Sequence, residues 1–314
     1  MKSERPEILI TDAVHDCLIE GLEKEGYKVR YDTEISPGEV KGILHRFEGI
    51  VISSRMIMDK KMIENGRRLK FIARLGSGKE IIDLDHAAKK GISVITSPEG
   101  NANAVAEHVI GMLLTLMNKI HIGDRNVRNF IWKREENRGT ELEGKTVGII
   151  GFGHTGSKVA EKLGSFNVKV LAYDKYKKHF ADDLRYVEET SLEDVQARSE
   201  ILSLHVPLTK ETTGMVNGSF LESCKKGLIL VNTSRGHVVN TMDLILSIES
   251  EHLAGAALDV FENEKPATMT QEEKEMYQRL FRLDNTLLSP HVAGWTFESK
   301  RKLAETVLDK IRRL

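Results

Sequence analysis

Short apolar runs alternate with amphipathic ones along almost the whole chain. Residues 8–10, 27–31, 49–52, 69–73 and 92–95 are brief and rich in β-branched or aromatic side chains, so each predicts a strand. Segments with helical spacing lie between them. Val14, Leu18 and Leu22 repeat every four residues, and Gly26 closes the run. Ser36-Pro37 offers an N-cap followed by proline at the first helical position. Residues 59–65 and 83–90 supply two more helices, the second stopped by Gly91. Strands alternating with helices in this way make a parallel sheet covered on both faces.

After Pro98 the pattern changes to a long apolar helix over residues 103–118, rich in Ala, Val, Leu and Met. It reads as buried, between domains or in a subunit interface. A second alternating series follows, with strands at 146–150, 169–172, 201–205, 228–232, 255–259 and 286–288. Six such strands fit a Rossmann sheet. Residues 296–314 predict a last amphipathic helix, with Leu303, Val307 and Ile311 on one face. No low-complexity linker separates the halves, so the joints near Pro98 and Pro290 rest on the pattern alone.

Composition narrows the class. With 314 residues the chain can build two cores, and 46 Lys plus Arg against 47 Asp plus Glu give a net charge of −1. No global basic field argues for nucleic acid or an anionic membrane. Cys17 and Cys224 lie too far apart in sequence for a disulfide framework, and no apolar run nears the ~18 residues that span a bilayer. The first residues lack the apolar stretch of a secretion signal, so a cytoplasmic protein is expected.

Chemistry enters with Gly151-Phe-Gly153-His154-Thr155-Gly156, which follows an apolar strand, precedes a helix and is followed by Asp174 at the end of a second strand. Gly151 allows the turn, Gly153 lets backbone approach a pyrophosphate, and Gly156 lets helix pack on strand. Phosphates would sit on free N–H groups at the helix start, and Asp174 would accept from the adenosine ribose. That acid favours NAD over NADP. Lys175, Lys177 and Lys178 could tolerate a 2′-phosphate, but Asp174 would repel it.

Three more candidates lie where ligands of open α/β sheets bind, at strand carboxyl ends. Arg235 follows residues 228–232, Glu264 lies just past Leu258-Asp-Val-Phe261, and His291 follows Ser289-Pro290. Arg235 can hold a carboxylate and carbonyl through its planar fork, His291 can exchange a proton near neutral pH, and Glu264 can orient the imidazole. Each also reads as something plainer: a solvated loop charge, one of several acids, a hydrogen-bonded turn histidine. The 11 histidines show no metal-ligand spacing, so no metal is expected. His108 reads as a packed, hydrogen-bonded residue.

The ordered set Gly151–Gly156, Asn232-Thr-Ser-Arg-Gly236, Leu258-Asp-Val-Phe261 with Glu264, and Ser289-Pro-His-Val-Ala-Gly294 resembles the D-isomer-specific 2-hydroxyacid dehydrogenases. Ser53-Ser-Arg-Met, Leu75-Gly-Ser-Gly78 and Ala104-Val-Ala-Glu-His108 fit as well, so the likeness covers nearly the whole chain. It implies two doubly wound parallel-sheet α/β domains. One is a flavodoxin-like substrate domain of residues 1–99 plus 292–314, the other a Rossmann NAD-binding domain of residues 100–291. It further implies Arg235, Glu264 and His291 as the catalytic set, with closure of the two domains excluding water. Beyond the glycines and Asp174, it places His205, Val206, Pro207, Thr212, Thr233, Ser234, Asp259 and Gly294 at NAD. Backbone of Gly76, Ser77 and Gly78, with Ser53 and Ser54, would take the substrate carboxylate. A homodimer through the cofactor domain is also implied.

Within the family, residues 132–146 look most like the phosphoglycerate dehydrogenases, and Arg55, Arg74, Lys79 and Arg134 could supply charge for a phosphate. 3-Phosphoglycerate is therefore the leading substrate, with glyoxylate/hydroxypyruvate or another 2-ketoacid as the alternative. An NADH-sensing binding protein, like the corepressors that share this fold, is a third reading. Two departures stand out. Lys265 intervenes between Glu264 and Pro266, where the family usually has proline directly, and Glu262 is then a distant alternative acid. Lys79-Glu80 replaces a small or apolar residue followed by Asp or Asn. The chain ends at Leu314, so no C-terminal serine-binding module is expected.

Overall fold

A computed structural model describes residues 5–181 and 183–314. It divides into two compact units, one made of Trp295–Leu314 with the residues up to Ala102, the other of Asn103–Gly294. The first unit holds strands β1 (Glu7–Ile10), β2 (Lys28–Tyr31), β3 (Gly49–Ile52), β4 (Phe71–Arg74) and β5 (Ser93–Thr96). Helices α1 (Asp16–Lys24), α2 (Pro37–Ile43), α3 (Lys60–Asn65) and α4 (Leu84–Lys89) connect them. All strand pairs are parallel, in the order β2-β1-β3-β4-β5. This is the flavodoxin-like order. Each helix starts on the side chain the sequence offers: Ser36 forms a capping box with Glu39, and Asp59 and Asp83 accept from the third residue on.

Both faces of this sheet are buried, and strand residues divide between them with period two. Leu9, Ile50, Ile52 and Ile72 pack with Val40, Leu44 and Met62 on one side. Ile8, Ile10, Val51, Phe71 and Ala73 pack with Leu18 and Leu22 on the other.

The chain continues through α5 (Pro98–Met117) and α6 (Ile120–Arg128) into the second unit's own alternation. This comprises β6 (Thr146–Ile150), α7 (His154–Leu163), β7 (Lys169–Tyr173), β8 (Val187–Glu189), α8 (Leu192–Arg198), β9 (Ile201–Leu204) and α9 (Gly218–Glu222). Then come β10 (Leu228–Asn232), α10 (Thr241–Glu249), β11 (Leu253–Leu258), α11 (Gln271–Phe281) and β12 (Thr286–Leu288). The strands are all parallel, ordered β12-β11-β10-β9-β6-β7-β8. Strand order reverses at β6/β9, the switch point where such sheets bind ligands. The sheet has seven strands rather than the expected six. β8 escapes a hydrophobic reading because it is a three-residue edge strand, Val-Glu-Glu, with no fully buried position.

The long apolar helix starts at Pro98, earlier than residue 103, because proline's missing N–H has no partner in a first helical turn anyway. Its Ala106, Val109, Met112, Leu113, Leu116 and Met117 pack into the second unit's core with Val147, Ile149 and Val170. Their apolarity is thus accounted for within that unit. The last helix, α12 (Phe297–Ile311), seats Ala304, Val307, Leu308 and Ile311 in the first unit's core. Among the described residues no helix is long and apolar enough to cross a membrane.

Candidate active site

At the end of β6 the chain turns through Gly151, whose φ is +92°, and a Cβ there would lie 2.5 Å from the His205 carbonyl oxygen. A Cβ on Gly156 would lie 2.1 Å from the Gly151 oxygen. Only hydrogen fits at either position, which seats α7 directly on the strand end. Gly153 is the N-cap of α7, makes no side-chain cap and has open space where a Cβ would stand. His154 and half-buried Thr155 form the first turn. An uncapped helix start beside an open glycine fits a pyrophosphate.

Asp174, just past β7, already has three backbone partners. Its Oδ2 accepts from Phe152 N–H at 2.9 Å, and its Oδ1 from Tyr176 and Lys177 N–H at 2.9 and 3.1 Å. The acid therefore stitches the glycine turn to the exit of β7 and keeps limited acceptor capacity for a ribose. Lys177 donates to the Phe152 carbonyl at 2.9 Å and Lys175 pairs with Glu211 at 2.6 Å, so both ammonium groups are engaged.

Past β9 come His205, Val206 and Pro207. The His205 ring lies 2.8 Å from Ser203 Oγ, and burial pushes its pKa down to about 4, so it is neutral at pH 7. Thr212, expected beside the cofactor, donates to the Pro207 carbonyl at 2.6 Å and accepts from Thr209 N–H at 2.9 Å, shaping its own turn. Thr233 differs: its buried hydroxyl has no hydrogen-bond partner in the structure. Such an orphan at a strand's carboxyl end fits a ligand group. Ser234 is buried and donates to Asn232 Oδ1 at 2.7 Å, inside the turn that carries Arg235.

Asn232 organises that turn, accepting from Ser234 N–H at 3.0 Å and donating to the Arg235 carbonyl at 3.0 Å. Gly236 presses it against the next loop, since a Cβ there would fall 1.9 Å from the Phe261 carbonyl carbon. Half-buried Arg235 is thereby held beside residues 261–264 and donates to the Ser234 carbonyl at 2.7 Å. Glu264 Oε2 lies 2.8 Å from His291 Nδ1. Burial raises the Glu264 pKa, but the His291 hydrogen bond and charge, the Phe261 N–H and the Arg235 charge outweigh it, leaving a net downward shift. Glu262 is engaged elsewhere, accepting from Thr241 N–H at 2.7 Å at the start of α10. The extra Lys265 is absorbed locally: its N–H donates to Asn263 Oδ1 at 3.0 Å and Glu264 keeps His291.

His291 has φ +55°, a left-handed conformation that costs a non-glycine residue about 1–3 kcal/mol. Asp259 holds it there. The Asp259 carbonyl accepts from His291 N–H at 2.7 Å. Its carboxylate, 1% exposed, accepts from Ser289 Oγ at 2.5 Å and from Val292 and Ala293 N–H at 2.9 Å each. Expected at NAD, Asp259 has both oxygens committed to the loop that runs on to Gly294.

In the first unit, Ser53 N–H donates to Asp12 at 3.1 Å, with Ser54 exposed beside it. Arg55 donates to the Ile35 carbonyl at 3.0 Å and to the Thr11 carbonyl, so it braces its own loop. Gly76 N–H donates to Ser97 Oγ at 3.1 Å, and Ser77 Oγ to Asn101 at 3.3 Å. Of the three expected carboxylate-binding positions, Gly76 has its donor satisfied internally. Buried Arg74 pairs with Glu80 at 3.3 Å, the acid that departs from the usual pattern. Arg134 lies exposed in the second unit. Among the described residues no group of three or more His, Cys, Asp or Glu could hold a metal ion.

Residues 110–293 match the model of the D-isomer specific 2-hydroxyacid dehydrogenase NAD-binding domain. A glyoxylate reductase of Pyrococcus furiosus is 35% identical over 96% of this chain and 90% of its own length. The chain belongs to the D-isomer specific 2-hydroxyacid dehydrogenase family. A D-3-phosphoglycerate dehydrogenase of Archaeoglobus fulgidus is 33% identical over 97% of the chain, which spans 56% of that protein. The D-lactate dehydrogenase of Aquifex aeolicus, solved with NAD and lactic acid, superposes with a TM-score of 0.82 at 29% identity, covering 97% of this chain and 94% of that one.

The family model assigns residues 110–293 as the NAD-binding domain. Three residues serve this site although the sequence assigns them no role of their own. Asn232 folds the Arg235 turn, Ser289 ties the histidine loop to Asp259, and Asn263 receives Lys265. Asn beside a strand end and Ser before Pro are common turn signals, so only the fold marks these as site residues.

Proposed function

We propose that this chain is an NAD-dependent D-2-hydroxyacid dehydrogenase. The observation that carries the reading is the 2.8 Å contact of His291 Nδ1 with Glu264, beside the turn that holds Arg235. Bound NAD supplies the hydride acceptor, or NADH the donor. His291, with Nδ1 engaged by Glu264, uses Nε2 to take the substrate hydroxyl proton in oxidation and to return it in reduction. Glu264 orients the ring through that contact. Arg235 binds the carboxylate and polarises the C2 carbonyl. Thr233, the start of α7 and Asp174 fit the cofactor.

3-Phosphoglycerate is the proposed substrate, which would put the enzyme in serine biosynthesis. Support comes from the Archaeoglobus relative and from the likeness of residues 132–146. A second reading, reduction of glyoxylate, hydroxypyruvate or another 2-ketoacid, is favoured by the Arg74–Glu80 pair at 3.3 Å and by Arg55 bracing backbone. Both take positive charge away from a phosphate. Steady-state reduction of 3-phosphohydroxypyruvate, hydroxypyruvate and glyoxylate with NADH separates the two. A kcat/KM at least about tenfold higher on the phosphorylated acid supports the first, and the reverse order supports the second. The free thiols of Cys17 and Cys224 suit a cytoplasmic enzyme.

A further inference from the structure

We propose that His108 on α5 is a positioning residue for His291, acting through Ser289 and Asp259. The inference rests on the dehydrogenase reading and adds a residue that touches none of the reacting groups. His108 Nε2 lies 2.9 Å from Ser289 Oγ and 3.6 Å from Asp259 Oδ1. Ser289 Oγ in turn donates to that same Oδ1 at 2.5 Å. A hydroxyl has one proton to give, so with Ser289 donating to Asp259, the His108–Ser289 contact runs the other way. His108 donates from Nε2, and its Nδ1 is then the unprotonated nitrogen when the ring is neutral.

The consequence is a fixed direction along the relay. His108 turns the serine hydroxyl onto Asp259. Asp259 Oδ1, loaded on that side, reaches Val292 N–H, and its Oδ2 reaches Ala293 N–H. The same residue's carbonyl accepts His291 N–H at 2.7 Å. Three successive peptide N–H groups, at 291, 292 and 293, are therefore gathered by one buried acid. Gathering them requires His291 to adopt φ +55°, and that backbone aims its Nδ1 at Glu264. Without the His108 donor, Ser289 can rotate away, Asp259 loses its definite orientation, and the loop relaxes towards ordinary φ values. The ring then leaves Glu264.

His108 sits on a core-packed helix between buried Val105, Val109 and Met112, so the anchor itself is rigid. A side chain on a loop would not give the same constraint.

The test compares His108→Ala and His108→Gln with the wild type. The glutamine amide can still donate to Ser289, whereas alanine cannot. His108→Ala is expected to lower kcat with NADH and the best 2-ketoacid by about 10- to 100-fold, the scale of a misplaced catalytic group. NADH binding, read by fluorescence titration, should stay within about twofold, and His108→Gln should recover most of the rate. Loss of thermal stability in both variants with kcat unchanged would overturn the proposal, because a packing role moves only stability. So would equal rate loss in alanine and glutamine variants. A crystal structure of His108→Ala gives a readout independent of turnover. Separation of His291 from Glu264 supports the relay, and a retained 2.8 Å contact overturns it. If the wild type reduces no 2-ketoacid, the dehydrogenase reading fails while this second readout still decides the relay.

Discussion

Side chains of the same type do unlike work at this site, and hydrogen-bond partners separate them. Glu264 faces His291 while Glu262, two residues earlier, caps α10. The sequence favours Glu264 through the family motif and keeps Glu262 as a distant alternative, since spacing along a loop says nothing about where each carboxylate turns. Asp259 and Ser234 make the same point in reverse. Both lie in motifs of the family, and both direct their side chains into their own loops. His205 is held neutral by burial, its pKa moved from 6.5 to about 4. The folded-state pKa is the lower one. Stability from this group is therefore complete above pH 6.5 and is lost as pH falls towards 4, where the unfolded chain takes a proton that the native one refuses. His205→Gln should lose less stability than the wild type between pH 6.5 and 4 in urea denaturation. Parallel pH profiles for the two would contradict this.

At the scale of elements, periodicity located every strand of the first unit, because both sheet faces are buried and the apolar runs are nearly continuous. It missed β8, an exposed polar edge, and α6, which has no buried residue at all. β8 writes no apolar alternation into the sequence, and the apolar side of α6, with Ile120 and Val127, is not buried in a core. The glycine turn was legible because steric demand admits one residue type at Gly151 and Gly156. What could not be read was that Asp174 secures this turn before any cofactor binds. Replacing Asp174 by Ser removes a charged acceptor for three N–H groups. Hydrogen bonds to charged groups contribute about 1.5–3 kcal/mol. NADH affinity should fall by about tenfold or more, and the ratio of NADPH to NADH affinity should rise. Fluorescence titration reads both, and an unchanged NADH dissociation constant would show that the ribose is held elsewhere.

For the whole molecule, the two-unit architecture follows from two alternating series, and membership of the dehydrogenase family follows from the match over residues 110–293 and from a relative aligned over 96% of the chain. The homodimer remains a proposal, with a surface to test it. Phe130 and Trp132 are 98% and 78% exposed, and Ile120 and Val127 more than half, all in one stretch of the second unit. We propose these exposed apolar side chains as the association surface. Phe130→Asp with Trp132→Asp should convert a dimer to a monomer in sedimentation velocity. A wild-type monomer, or a variant that stays dimeric, would contradict that assignment.

The central claim is that His291, oriented by Glu264, moves the proton that accompanies hydride transfer. It is tested most directly by NADH oxidation at saturating 2-ketoacid, comparing the wild type with His291→Asn. Removing a general acid of this type should lower kcat by about 10²- to 10⁴-fold, with NADH affinity within about twofold of the wild type. Near-normal turnover in His291→Asn would contradict the account.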